Sequence, residues 1–500
     1  MKKNLFILFL AVLAWTSASK VMADARIDAM SSDPRITDDL DIIWMYPNKI
    51  IEYKDNADFR LNSSGGYGNF GQGVGEWGGL TKDLSELGLG GVLAVYLNRP
   101  FLPGTGVFPF EYWMPTGGTG LWQNTNVYLY QAPDKPGING VAASGAATIG
   151  GLTPNNKIDL FWADTFFDGF NAGFHLNYGD NQPNTTSNAV TTTADNSISS
   201  NNIDTSKVLG AELGIGIAAG FFNKIDCHFG YSQGNYSDTQ TYSNSGVTTI
   251  NNASNDNGIY TYSAGLLLQH DFDNEENNVR IFGDWYSNQF AGADKVQMST
   301  IGNFNDINAV NYLASNQYNL TLTMFGFSGT HKFDDEKSLI SSGLLVSYWN
   351  SKQTASETDK PVSVTSSTSY GAENDVNITS INWNIGLEAQ FTDWFVFRAG
   401  IEKFIYDNTQ TKYTINDPPA PATIVTTTGD SSDPLDGVMF STGFGLNMNN
   451  WKLDLVASAG SLEQTLQNLQ PGNGIFFDNH SGTGTGPIVT IVEAELSHPL

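Results

Sequence analysis

The feature that most constrains this chain is a two-residue alternation of side chains within runs of strand length. In residues 207–221 every second side chain from Leu209 to Phe221 is apolar, and the residues between them are mainly Gly, Ala and Glu. Residues 378–392 and 436–448 repeat the pattern, with Asn, Ser and Gly prominent on the second face. A period of two indicates β-strands. One apolar face opposite a small or polar face is typical of strands that contact lipid on one side and a lumen on the other.

Short and long connections alternate between these runs. The short connections are Asp164–Asp168, Phe222, Asp273–Asn277, Asp334–Glu336, Asp393 and Asn449. The connections between them are long and rich in Asn, Thr, Ser and Gly: 179–206, 233–257, 289–318, 351–377, 408–435 and 462–486. Outer-membrane barrels have short periplasmic turns and long external loops, whereas a soluble sandwich shows turn signals about every 8–12 residues. The pattern predicts an all-β fold, an antiparallel transmembrane β-barrel.

The number of runs predicts the size of the barrel. Starting from Gly88–Asn98 and 157–163 and ending with 487–497, the count is about fourteen strands, an even number as single-chain bacterial barrels require. The alternative of sixteen adds Asn56–Ser63 and Leu121–Gln131 as a further pair. A barrel of either size encloses more space than its wall side chains fill, so the lumen must be occupied or conducting.

The first residues predict export. Lys2 and Lys3 precede an apolar run, Leu5–Trp15, and Ala23 ends a small-residue pattern typical of cleavage, so residues 1–23 are interpreted as a signal peptide. This run is shorter than the ~20 residues a membrane-spanning helix needs. No later apolar stretch reaches about 18 residues, so we expect any membrane contact to be made by strands.

Composition argues against several classes of function. With 51 acidic and 24 basic residues the net charge is −27, which makes nucleic acid an unsuitable partner. A single Cys excludes a disulfide framework and Cys-based zinc sites. No H-E-x-x-H motif is present, and Gly326-Phe327-Ser328-Gly329 lacks the last glycine of a nucleophile elbow. We therefore expect no enzyme activity, no metal site and no cofactor.

The alternation also predicts which charged side chains face the lumen. Charges are tolerated there, whereas an Arg or Lys on the lipid face costs about 2–4 kcal/mol at the membrane midplane. The predicted lumen set is Glu212, Asp226, His228, Arg280, Asp284, Glu388, Arg398, Glu402, Lys452, Asp454, Glu493 and Glu495. Two interpretations stay open: structural ion pairs that fix the barrel, or a selectivity lining with Arg280, Arg398 and Lys452 as a basic ladder.

Aromatic residues recur at both ends of the runs, as the girdles at the two membrane interfaces do. Next to the short turns these are Phe333, Phe391, Trp394 and Trp451, and at the opposite ends they are Tyr178, Tyr231, Tyr286, Trp349 and Tyr406.

Residues 24–55 precede the first strand of the barrel, which would span 56–500, and are interpreted as a lumen plug. Pro34 and Pro47 suit an irregular path, since proline cannot donate to a ladder. The charges of the segment suit a charged wall: Arg26, Asp33, Arg35, Asp38, Asp39 and Asp41. We expect Arg26 or Arg35 to pair with Glu212 or Glu388, and Asp38 or Asp39 to lie near Arg280 or Arg398. The alternative is a tail hanging below the barrel.

Short motifs in this segment carry a resemblance. Ala25-Arg26, Ala29-Met30, the acidic pair Asp38-Asp39 and Tyr46-Pro47-Asn48 resemble the opening of the long-chain fatty-acid transporter superfamily. In that superfamily such a sequence threads into the lumen ahead of a fourteen-stranded barrel. This chain differs at Ser31-Ser32, where two glycines are usual, and in having Tyr-Pro-Asn in place of Asn-Pro-Ala. The resemblance implies a plugged barrel and does not identify a ligand.

The leading hypothesis is a channel or transporter in the outer membrane of a Gram-negative-type cell, passing a small hydrophobic molecule through a plugged lumen. The alternative is a surface-exposed structural or adhesion protein that uses the barrel as an anchor and its long acidic loops for binding. The expected partners are outer-membrane lipid, the outer-membrane assembly machinery and a small hydrophobic ligand, without nucleic acid.

Overall fold

The computed structural model describes residues 25–37, 39–62, 77–97, 156–180, 184–192, 196–244, 249–254, 257–272, 276–298, 310–333, 337–361, 368–416, 423–430, 438–448, 451–461 and 490–499. The predicted signal peptide and the predicted strand Leu121–Gln131 lie outside these residues. Within them, no helix is both long and apolar enough to cross a membrane.

Short helical stretches precede the first strand. Helix α1 spans Ala25–Ala29, and two 3₁₀ turns follow at Leu40–Trp44 and Pro47–Glu52. The Asp39 carboxylate caps the first of these turns by accepting from the backbone N–H of Asp41. A third 3₁₀ turn, Ser85–Leu87, lies between two strands.

The remainder of the described chain is β-structure. The strands are β1 (Asn56–Asn62), β2 (Trp77–Asp83), β3 (Val92–Leu97), β4 (Asn156–Phe167), β5 (Phe170–Asp180), β6 (Asn184–Thr192), β7 (Asn196–Ala219), β8 (Phe222–Asn244), β9 (Thr249–Ser254), β10 (Asn257–Asp271), β11 (Asn277–Met298), β12 (Val310–Phe333), β13 (Ser338–Pro361), β14 (Thr368–Thr392), β15 (Phe395–Asn416), β16 (Thr423–Asp430), β17 (Val438–Met448), β18 (Trp451–Ser461) and β19 (Thr490–Pro499).

Sixteen of these described strands form a closed antiparallel ring. Its order is β1, β2, β3, β4, β5, β7, β8, β10, β11, β12, β13, β14, β15, β17, β18 and β19, and β19 pairs with β1. In the closing pair Phe59 lies opposite Leu496. Three further described strands are not members of the ring: β6, β9 and β16. They pair with the extended parts of the ring strands β7, β8 and β15, respectively.

The expectation of fourteen strands was therefore wrong, and sixteen is the number found. Among the described residues the additional pair is β1 and β2; Leu121–Gln131, the other member of the pair in the sixteen-strand alternative, lies outside them. Strand β2 contains Gly78 and Gly79, so the apolar alternation that identifies other strands is weak there. A Cβ on Gly79 would overlap the ring of Tyr96 in β3, so the strand requires glycine at this position.

Several connections that were interpreted as loops are strand extensions. Strands β7 and β13 are 24 residues long and β14 is 25 residues long, whereas about 9–11 residues span a bilayer. Asn, Thr and Ser give these extensions no apolar face, so the period-two signal disappears while the ladder hydrogen bonds continue.

The two faces of the ring differ as the alternation predicts. Large apolar side chains such as Leu209 and Phe325 are 63% and 56% exposed, and the alternate residues are buried. Among the predicted girdle residues, Phe391 and Trp394 are exposed, but Tyr286 is buried. Tyr286 shares the buried face with Phe282 and Asp284, so its assignment to a girdle was wrong. The side chain of Trp349 lies outside the described residues.

Candidate functional site on the buried face of the ring

Residues 25–54, here called the N-terminal segment, pack against the buried faces of the strands. Ile27, Ile36, Trp44 and Tyr46 are at most 1% exposed. Four hydrophobic residues in such complete burial contribute about 1.5–3 kcal/mol each by removal from water. The segment and the strand faces that it contacts are therefore buried against each other.

Trp44 anchors the segment to the first strands. Its ring makes edge-to-face contacts with Trp77 at 6.1 Å, Tyr96 at 5.2 Å and Phe161 at 4.8 Å between centroids. Each such aromatic pair stabilises by about 0.5–1.5 kcal/mol beyond area burial. The Lys157 ammonium lies 5.5 Å from the Trp44 ring centre, within cation–π range.

The Tyr46-Pro47-Asn48 stretch lies on a surface of glycines. A Cβ on Gly173 would lie 2.8 Å from the Asn48 Cα, and a Cβ on Gly214 would lie 2.5 Å from the Asn48 Oδ1. The Asn48 amide donates to Asp226 at 2.6 Å and to Asn171 at 2.9 Å. The glycines that alternate with apolar residues in β5 and β7 thus allow the backbone of the N-terminal segment to approach the backbone of these two strands.

A second set of glycines receives Ala29 and Met30. A Cβ on Gly400 would overlap the Met30 backbone, and a Cβ on Gly443 would lie 2.5 Å from the Ala29 Cβ. Ser31 then turns the chain with φ 45°, a left-handed conformation that glycine adopts more readily. Its hydroxyl lies 2.6 Å from that of Ser441 in β17.

Arg26 connects helix α1 to the wall. It donates to Glu388 at 2.9 and 3.2 Å, as one of the sequence expectations stated, and to Asp39 at 3.3 Å. Burial lowers the pKa of Arg26, but the Glu388 and Asp39 carboxylates together raise it more, so the net pKa lies above its ordinary value. Glu388 also accepts from Arg398 at 2.6 Å, which continues the network into β15.

Arg35 contacts different partners from those expected. It pairs with Asp33 at 2.7 Å and with Asp284 rather than with Glu212 or Glu388. Burial lowers the pKa of Arg35, while Asp33 and then Asp284 raise it to a net value above the ordinary one. Arg280 donates to the Arg35 carbonyl oxygen at 3.2 Å.

Tyr46 adds a second contact to Asp284, donating its hydroxyl at 3.1 Å. Burial raises the pKa of Tyr46, and the nearby Asp284 carboxylate raises it further. The hydroxyl therefore remains a donor across the whole physiological pH range.

Three further residues of the segment were predicted to take part in the plug: Asp38, Asp39 and Pro47. Asp39 contacts Arg26 rather than Arg280 or Arg398, Asp38 lies outside the described residues, and Pro47 begins the second 3₁₀ turn as a buried residue.

The predicted lumen set falls on one face. Its buried members are Glu212, Asp226, His228, Arg280, Asp284, Arg398 and Asp454, and its partly exposed members are Glu388, Glu402 and Lys452. The side chains of Glu493 and Glu495 lie outside the described residues. Lys452 pairs with Asp454 at 2.8 Å, and Lys49 of the segment pairs with Asp226 at 3.0 Å. Paired charges are therefore common on the described part of this face, and its use as a selectivity lining stays a prediction.

Sequence reasoning missed three polar residues that take part in the same network: Lys157, Asp159 and His175. Lys157 and Asp159 alternate in β4, and His175 lies between Gly173 and Asn177 on one face of β5. The alternation could have identified all three. Among the described residues, no group of three or more His, Cys, Asp or Glu has an arrangement suited to a metal ion.

Comparison with known proteins identifies no family. No protein-family model matches the sequence, and no curated protein matches it. The match with the toluene transporter TodX of Pseudomonas putida covers 96% of this chain and 97% of the TodX chain, with 9% sequence identity and a TM-score of 0.34. The match with the ferric yersiniabactin uptake receptor FyuA of Yersinia pestis covers 89% of this chain and 79% of the FyuA chain, with 8% sequence identity and a TM-score of 0.33. At such scores these similarities do not extend the account beyond the barrel described above.

Proposed function

We propose that the chain is an outer-membrane barrel in which the N-terminal segment fills the lumen, and that a small hydrophobic molecule passes when this segment moves. The observation that carries the proposal is the contrast between the two faces of single strands. In β7, Leu209, Leu213 and Ile217 are exposed and apolar, while Gly214 on the opposite face lies against Asn48. An outward apolar belt suits lipid, and inward glycines suit an inserted segment.

The hydrophobic ligand class is supported by the wall behind the segment. Ile36 belongs to a buried cluster with apolar residues from the inward faces of four strands: Leu267, Phe282, Leu322, Met324 and Leu345. If the segment moved, these side chains would line the vacated space. An apolar molecule would then be bound by burial, at about 25 cal/mol per Å² of apolar area.

A cross-link between segment and wall tests the proposal. The Ser31 and Ser441 hydroxyls are 2.6 Å apart, so S31C/S441C in a Cys227→Ala background should form a disulfide that fixes the segment. The matched control is S347C/S380C, whose parent hydroxyls are also 2.6 Å apart but lie in neighbouring wall strands. Uptake of the apolar dye N-phenyl-1-naphthylamine into lipopolysaccharide-containing vesicles is the readout.

We expect oxidation to stop dye uptake in S31C/S441C, reduction to restore it, and the control pair to be unaffected by either treatment. Equal uptake through the oxidised and reduced forms of S31C/S441C would contradict a moving plug. Absence of uptake in every form, including a variant without residues 24–55, would contradict transport and favour the second candidate.

That second candidate is an anchored surface protein, and the lengths of the strands favour it. Strands β13 and β14 are more than twice as long as a bilayer requires, so their paired extensions would project well beyond the membrane. Binding of the barrel to cell surfaces, lost when residues 351–377 are shortened, would support this function.

A further inference from the structure

Four uncharged polar side chains lie together on the buried face of the wall. We call them the polar patch, and they come from three strands of the ring: Asn177 of β5, Ser232 of β8, and Thr261 and Ser263 of β10. All four are at most 5% exposed. Asn177 and Ser232 are both register partners of Gly210 in β7, and Thr261 lies opposite Ser232. The patch is therefore one continuous area of the sheet.

Glycines leave the room that these side chains occupy. A Cβ on Gly210 would lie 2.6 Å from the Asn177 amide nitrogen and 2.9 Å from the Ser232 Cβ. A Cβ on Gly230 would lie 2.4 Å from the Ser263 hydroxyl. The polar groups thus fill space that larger residues in β7 and β8 would need.

Most of the polar groups in this area make no hydrogen bond within the protein. Among the described residues, neither polar atom of the Asn177 amide has a hydrogen-bond partner, and neither do the hydroxyls of Thr261 and Ser263. Beside them, Glu212 Oε1 lies 2.9 Å from His228 Nδ1, whereas no hydrogen bond to Glu212 Oε2 is found in the described chain. A buried polar group without a partner destabilises a fold. A cluster of such groups therefore indicates residues that serve a purpose other than stability.

The polar patch lies on the side of the N-terminal segment away from the short turns. In β7, Gly214 lies against Asn48 of the segment, and Gly210 is farther along the strand from the short turn to β8. The same order holds in β5, where Gly173 lies against Asn48 and Asn177 is farther from the turn to β4. In a barrel with short periplasmic turns this is the external side of the segment. A ligand that arrives from outside would meet the patch before the segment.

We propose that the polar patch binds the hydroxyl group of an otherwise apolar small molecule before the segment moves. This inference rests on the proposed function and names the chemical class of the molecule concerned. A hydroxyl both donates and accepts, so it suits the amide of Asn177, the hydroxyl of Ser263 and Oε2 of Glu212. The apolar part of the molecule would contact Val208 and the ring of Tyr286, which are buried on the same face.

The charges around the polar patch argue against a carboxylate ligand. The members of the patch are uncharged, and Glu212 Oε1 would lie 3.4 Å from a Cβ on Gly230, at the edge of the patch. A ligand carboxylate bound here would repel the Glu212 carboxylate in an interior of low dielectric constant. A pure hydrocarbon would leave the buried polar groups without partners. A hydroxylated molecule avoids both penalties.

Binding of three naphthalene probes to the full-length protein tests the proposal. 2-Naphthol carries a hydroxyl, 2-methylnaphthalene has a methyl group in its place, and 2-naphthoate has a carboxylate. Equilibrium dialysis against the protein in lipid nanodiscs, with binding to protein-free nanodiscs subtracted, measures the dissociation constants. At pH 7 the wild type should bind 2-naphthol at least about threefold more tightly than 2-methylnaphthalene, as added hydrogen bonds provide. It should bind 2-naphthoate more weakly than 2-naphthol.

Substitutions in the polar patch separate binding from a structural role. Asn177→Leu and the double variant Thr261→Val/Ser263→Ala remove polar groups with little change in shape, and should bring the affinities for 2-naphthol and 2-methylnaphthalene within about twofold. Their free energies of unfolding in urea should stay the same or rise, because buried groups without partners are removed. Ser328→Ala is the matched control, since the Ser328 hydroxyl in β12 is also 1% exposed and without a partner in the described chain; it should keep the wild-type preference.

The outcomes distinguish this inference from the proposed function. Oxidised S31C/S441C, in which the segment is fixed, should bind 2-naphthol as the wild type does, because the patch lies on the external side of the segment. Loss of binding in that form, equal affinity of the wild type for 2-naphthol and 2-methylnaphthalene, or tighter binding of 2-naphthoate would each overturn the inference. Patch variants that are destabilised and keep the wild-type preference would show a structural role instead, and if they fail to fold, the comparison of probes on the wild type decides. Dye uptake that ignores the cross-link would contradict a moving segment and leave the preference for 2-naphthol intact.

Discussion

The amide of Asn48 occupies the space that a side chain on Gly214 would need: a Cβ there would lie 2.5 Å from Asn48 Oδ1 and 2.7 Å from its backbone nitrogen. We expect Gly214→Ala to destabilise the protein by about 1–3 kcal/mol, as overpacking does. Gly283→Ala is the control, since the nearest atom to its Cβ is 3.6 Å away. Urea unfolding in lipid vesicles measures both. Equal stability of the two variants would show that the contact is absent.

The left-handed turn at Ser31 predicts a difference between two substitutions. Ser31→Gly and Ser31→Ala both remove the hydroxyl contact with Ser441, but only glycine adopts φ 45° without strain. The glycine variant should therefore be more stable than the alanine variant by about 1 kcal/mol. Identical free energies of unfolding would indicate that position 31 is not left-handed in the folded protein.

Arg26 and Glu388 should be energetically coupled. Their side chains are 17% and 19% exposed and 2.9 Å apart, so a double-mutant cycle with R26Q and E388Q should give a coupling of about 1–3 kcal/mol. Lys54 and Asp83 provide an exposed comparison at 3.1 Å, with Lys54 57% exposed, and their coupling should stay below about 1 kcal/mol. Additive effects of R26Q and E388Q would place helix α1 away from β14.

Asp55 predicts a pH dependence outside the spanning strands. The Lys82 ammonium, 2.7 Å away, and the backbone N–H of Asp83 lower the pKa of Asp55. The stability it adds is present above the ordinary pKa of about 3.9 and is lost as the pH falls through the lowered value. Asp55→Asn, which tolerates the left-handed backbone at φ 56°, should be less stable than wild type at pH 7. Urea titrations should show this difference shrink toward pH 2; a constant difference would contradict the ion pair.

The alternation of side chains predicted the barrel and its buried charged face. The pairing of Arg26 with Glu388 was one of the four combinations that the charges of the segment left open. The alternation failed where the pattern is weak. Strand β2 was missed because Gly78 and Gly79 interrupt its apolar face. Tyr286 lies on the buried face, two residues from Asp284, although its position near the end of a run is typical of a girdle residue.

The partners of the segment could not be predicted from residue type alone. The alternation places the glycines of residues 207–221 and 378–392 on the inward face, but which part of the segment each glycine receives depends on the irregular path of the segment. The same holds for Arg35, whose partner Asp284 lies 249 residues later in the chain. Contacts of this kind are set by three-dimensional packing, which leaves no periodic signal.

Thiol accessibility tests the central claim, that the N-terminal segment lies inside the barrel, most directly. In a Cys227→Ala background, Ile43→Cys replaces a side chain that is 0% exposed, and Lys54→Cys replaces one that is 57% exposed. The account predicts that a water-soluble maleimide reacts with position 43 at least about 100-fold more slowly in the folded protein than in the unfolded one, while position 54 reacts rapidly in both. Equal rates at position 43 in the folded and unfolded protein would show that the segment lies outside the barrel and would contradict the account.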